Sequence, residues 1–91
     1  MRKQIVLKIY GKVQGVFFRD SSQEKARELN LSGWVRNEPD GAVAIVAEGG
    51  EKELKELIEW CKNGPGHAKV DEVDVKWTEP TGRFDGFVVK Y

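Results

Sequence analysis

At 91 residues, of which 40% are hydrophobic, 10% aromatic and 33% charged, the chain has apolar material for one core and too little length for two. Fifteen Lys and Arg balance fifteen Asp and Glu, so no long-range positive field gathers nucleic acid or anionic lipid. The one cysteine, Cys61, closes no internal disulfide and builds no thiolate metal cage. These features predict a single soluble domain over residues 1–91 in the cytoplasm, a monomer with no membrane or nucleic-acid partner. Lys8 breaks the first apolar run well short of a secretory segment. Ala42 to Ala47, the longest apolar stretch, is too short to span a bilayer. Abundant Glu and Lys with scarce Asn, Gln, Met and Cys lean towards a heat-adapted, thermostable protein.

Gln4 to Val13 alternates Ile5, Leu7 and Ile9 against Val6, Lys8 and Tyr10, the period of a strand with one face on a core. A glycine-containing loop comes next. Asp20 with Gln23 and Ser21 with Glu24 form overlapping capping-box patterns. Phe18, Ser22, Ala26 and Leu29 recur at helical spacing, which predicts a helix ending near Asn30. Gly33–Asn37 and Ala42–Ala47 read as a hairpin about Glu38-Pro39-Asp40-Gly41, with Pro and Gly where a type I turn prefers them. Leu54, Leu57, Ile58 and Cys61 form the apolar stripe of a second helix over Glu51 to Lys62, stopped by Asn63-Gly64-Pro65-Gly66. Val73, Val75 and Trp77 mark a fourth strand. Phe87, Val89 and Tyr91 mark a fifth.

The order is βαββαβ, with the short fifth strand as a C-terminal addition. It specifies an α+β, ferredoxin-like sandwich with two helices on one face of an antiparallel sheet. In that topology strands one and two run the same way with strand three between them, so their carboxyl ends share an edge about 10 Å apart.

The segment after strand one therefore meets the end of strand two. The first is Gly11-Lys12-Val13-Gln14-Gly15-Val16-Phe17-Phe18-Arg19, a loop whose glycines and adjoining helix start turn main-chain N–H groups towards an anion. Arg19 is able to donate parallel hydrogen bonds to two oxygens of a phosphate held there. The second is Asn37, whose carboxamide orients a water molecule but is too weakly basic to deprotonate it.

The segment Gly11 to Arg19 resembles the first signature of acylphosphatases. Gly33-Trp34-Val35-Arg36-Asn37, with Gly41-Ala42-Val43 and Glu48-Gly49, resembles their second. The likeness covers essentially the whole chain. It implies that the main chain of Gln14, Gly15, Val16, Phe17 and Phe18, together with Arg19, binds the phosphate of an acyl phosphate, and that Asn37 positions the attacking water. It also implies inorganic phosphate or sulfate as a ligand, and a pairing of the Tyr91 carboxylate with Arg19. The chemistry asks for little more. A carboxylate leaves readily, so charge stabilisation and water positioning suffice, and neither metal nor cofactor is expected.

Taken singly, these residues have plainer readings: turn glycines, a solvated helix-start arginine, and an asparagine that stabilises its turn. Their shared edge favours the chemical one. His67 reads as a solvated loop residue and Cys61 as core; Trp34, Trp60 and Trp77 read as packing. Three rival classes compete with the hydrolase: a single-stranded RNA-binding module, a copper-chaperone-like module and a noncatalytic binder of phosphorylated metabolites. The first lacks aromatics on Ala42 to Ala47. The second lacks cysteines in the first loop, and only kinetics separates the third.

Overall fold

The computed structural model describes residues 1–91 and has the expected element order: β1 (Arg2–Lys12), α1 (Phe18–Glu28), β2 (Ser32–Asn37), β3 (Val43–Gly50), α2 (Glu51–Asn63), β4 (Lys69–Thr78) and β5 (Phe87–Lys90). The sheet order is β4-β1-β3-β2-β5. Four strands pair antiparallel, with β3 between β1 and β2 as the topology requires. The fifth departs from an all-antiparallel sheet: β5 lies parallel to β2, Arg36 opposite Lys90. The 79–86 connection must cross the sheet to reach that far edge, so β5 arrives in the same direction as β2.

Ile5, Leu7 and Ile9 of β1 and Val43, Ile45 and Ala47 of β3 point to one face and pack with Phe18 and Ala26 of α1 and Leu54, Leu57, Ile58 and Cys61 of α2. Alternation on the strands and a stripe on each helix produce this two-layer core. Burial pushes the Cys61 thiol up to about 12. No helix is long and apolar enough to cross a membrane. Trp77 departs from the packing expected of it. Its register partner Ile5 puts it on the helix side, but at the sheet edge, where it stays 41% exposed.

On the open face, Tyr10 lies under Lys8, and Trp34 lies under both Arg36 and Lys90, whose charged groups stand 4.7 and 4.8 Å from its ring centre. Glu48 is fully buried on this same face. It accepts hydrogen bonds from the Thr81 amide and hydroxyl, both at 2.7 Å, and from the Gly82 amide at 3.0 Å. Desolvation pushes its carboxyl up, but these three donors outweigh burial and hold it below the ordinary range. Glu48 thereby pins the crossing connection to the sheet.

Candidate active site

The loop after β1 is built around two left-handed residues. Gly15 has φ +74° and Phe17 has φ +63°, and both alternate with residues of ordinary negative φ. Such alternation swings successive N–H groups to one concave side, a nest for an anion. Gly15 adopts this φ freely, whereas Phe17 is a bulky residue in a region that costs it about 1–3 kcal/mol. Phe17 is also 74% exposed, so core packing does not compel the conformation.

Helix α1 begins at once, two residues before the capping boxes expected of Asp20 and Ser21. Ser21 N–H donates to the Phe17 carbonyl at 3.0 Å, which makes Phe17 the N-cap. No side chain caps this end. Asp20 is the third helical residue, and the Ser22 hydroxyl donates back to the Phe18 carbonyl at 2.6 Å. The amides of the first turn are therefore left for something else.

The residues that carry those groups belong to the wall of a cavity of about 240 Å³ lined by Val13, Gly15, Phe17, Phe18, Arg19, Asp20, Asn37 and Tyr91. Arg19 and Asn37, from separate elements, thus meet in one recess. The Arg19 guanidinium stacks 4.8 Å over the centre of the Tyr91 ring, and that contact replaces the expected ion pair with the Tyr91 carboxylate, since no salt bridge involves Arg19. The Asn37 Oδ1 atom is buried without a hydrogen-bond partner. A buried acceptor left unpaired costs about 1–3 kcal/mol, so it marks a place where a donor is meant to arrive.

The side chains of two loop residues whose main chain was expected at the phosphate point away from the cavity. Val16 turns its side chain into the core. Gln14 stays off the cavity wall; its Nε2 donates to the carbonyls of Glu38, at 2.8 Å, and Ala42, at 2.9 Å. These are the two ends of the turn after Asn37, closed by Gly41 N–H donating to Glu38 at 3.1 Å as a type I turn should. Gln14 thus braces the loop against the hairpin that carries Asn37. Lys8 adds a second brace with a 2.8 Å ion pair to Asp40. His67 is exposed, as expected, and takes no part in the cavity wall.

The model of the acylphosphatase family matches residues 5–89. The chain belongs to the acylphosphatase family. The acylphosphatase of Marinobacter nauticus is 56% identical over 81 residues, 89% of this chain and 88% of that one. That of Roseiflexus sp. strain RS-1 is 49% identical over 81 residues, 89% of this chain and 87% of its own length. The crystal structure of the Bacillus subtilis acylphosphatase superposes with TM-score 0.94 and 37% identity, covering 100% of both chains. In this chain Arg19 and Asn37 line one cavity with the loop residues Gly15, Phe17 and Phe18. Asp20 and Tyr91 are cavity residues that sequence reasoning assigned to other work, the first to a capping box and the second to a terminal charge. Their signal was position alone: Asp20 lies within the first turn of α1, and Tyr91 lies beside Asn37 only once β5 pairs with β2.

Proposed function

We propose that this chain hydrolyses the carboxyl–phosphate bond of acyl phosphates by direct attack of water. The nest and first-turn amides from Gln14 to Phe18 seat the phosphoryl oxygens, and Arg19 neutralises their charge through two parallel hydrogen bonds. Asn37 Oδ1 accepts a hydrogen bond from a water and aims that water's lone pair at phosphorus in line with the departing carboxylate. The phosphorus–oxygen bond to the acyl group breaks as the bond to water forms. The electron pair leaves on the carboxylate and the water protons pass to phosphate and solvent. The observation that carries this reading is the orphaned Asn37 Oδ1 in the same recess as Arg19: a polar acceptor buried opposite a cationic nest asks for a water on an anion.

The decisive experiment follows benzoyl phosphate by absorbance and inorganic phosphate binding by calorimetry. Arg19→Ala is expected to lower both by about 100- to 1000-fold, the weight of one oxyanion-binding group. Asn37→Ala is expected to lose turnover by about 100-fold while holding phosphate within about threefold. Wild-type turnover in Asn37→Ala assigns the water elsewhere. Activity is expected to survive a chelator, because a carboxylate leaving group needs no metal. The same reading has the protein act as a heat-adapted cytoplasmic monomer, supported by one core thiol and by the charged edge strand β4, whose Asp71, Glu72, Asp74 and Lys76 discourage pairing with another sheet.

A further inference from the structure

The machinery above grips phosphate and says nothing of the acyl half, yet two residues of the cavity wall are unused by it. In-line attack sets the water and the leaving acyl oxygen on opposite sides of phosphorus. Asn37 marks the water side, and the β2–β5 register that pairs Arg36 with Lys90 puts Tyr91 next to it. The loop after β1 and the start of α1 supply the rest of the wall. Phe17, the N-cap, and Asp20, the third helical residue, both line the cavity. Phe17 holds an exposed ring at a strained φ. Asp20 is exposed and makes no ion pair, while the neighbouring Arg19 guanidinium is turned onto the Tyr91 ring. An unneutralised carboxylate in the wall of an anion site does not help to hold phosphate; it acts on whatever lies beside the phosphate.

Resting on the acylphosphatase reading of the site, we propose that Phe17 and Asp20 form the acyl-group subsite and select acyl phosphates with an uncharged, apolar acyl group over those whose acyl group carries a carboxylate. Phe17 offers a flat apolar surface to the first kind. Asp20 repels the second.

Two phosphonates that resist hydrolysis test this by binding alone: benzylphosphonate, with a phenyl ring beyond phosphorus, and 3-phosphonopropionate, with a carboxylate. Calorimetry on the intact chain is expected to show a preference for benzylphosphonate. Asp20→Asn narrows that preference roughly fivefold, the scale of one partly solvated charge pair, and Asp20→Glu retains it. A merely structural contribution of Asp20 to the helix start shifts both ligands alike and leaves their ratio in place. The ratio of kcat/KM for benzoyl phosphate and succinyl phosphate is expected to follow the same pattern. An unchanged binding ratio in Asp20→Asn, or no binding of benzylphosphonate to the wild-type chain, overturns the proposal. Absence of turnover with a binding ratio that still depends on Asp20 instead fails the hydrolase reading and leaves the subsite standing.

Discussion

Phe17 shows how a single residue sets stability against chemistry. Its left-handed backbone is unfavourable for a phenylalanine, and its ring is too exposed to recover much from packing. Phe17→Gly is therefore expected to stabilise the fold by about 1 kcal/mol, raising the melting temperature by roughly 4–8 °C in a domain of this size. The nest survives that change and the ring does not, so the same variant is expected to lose its preference for benzoyl over acetyl phosphate. Scanning calorimetry and a two-substrate assay check the two halves. The meeting of Arg19 and Asn37 in one cavity was readable from the strand order. The strain at Phe17 was not, because positive φ is a property of the folded loop and phenylalanine carries no sign of it. Asp20 misled for a related reason: an acid before a helical stripe looks like a cap, yet the helix starts earlier and Asp20 is its third residue.

Among the elements, the loop after β1 and the β2–β3 hairpin must keep a fixed distance, since each carries half of the proposed site. Gln14 spans that gap with two hydrogen bonds to the hairpin's carbonyls. Gln14→Ala is expected to cut kcat about tenfold by letting Asn37 drift, with phosphate affinity changed far less because the loop amides remain. Steady-state kinetics beside phosphate calorimetry separates the two effects. Sequence periodicity located the elements but shortened several. β4 starts at Lys69, four residues before the Val73 alternation, because main-chain pairing with β1 also holds Lys69 and Glu72, whose side chains are solvated. β3 continues past the expected Ala42–Ala47 through Glu48, Gly49 and Gly50, which pair with Gln4, Lys3 and Arg2. Charged edges and glycines hide strand residues, since backbone hydrogen bonds leave no mark on side-chain pattern.

Across the whole molecule, the order of strands and helices was enough to specify the two-layer fold and the meeting of β1 with β2. The route of the chain after β4 was not readable, because it depends on a contact between Glu48 and Thr81 that no local pattern announces. That contact carries a pH signature. The folded carboxyl sits below its ordinary value of 4.5, so the folded state releases this proton more readily than the unfolded chain does. The stabilisation is full above pH 4.5 and declines as the pH falls through the folded value. Glu48→Gln is expected to cost about 2 kcal/mol at pH 7, and the deficit is expected to shrink in acid. Melting temperatures of both proteins across pH 3 to 7, about the span in which carboxylates titrate, measure it. Cys61 offers a clock for the same unfolding. Only the thiolate reacts with an alkylating reagent, and a thiol pushed up to about 12 inside the core supplies almost none at neutral pH. As the chain has one cysteine, every labelled molecule is one whose α2 has come away from the sheet, and the rate of mass gain counts those excursions in otherwise native solution.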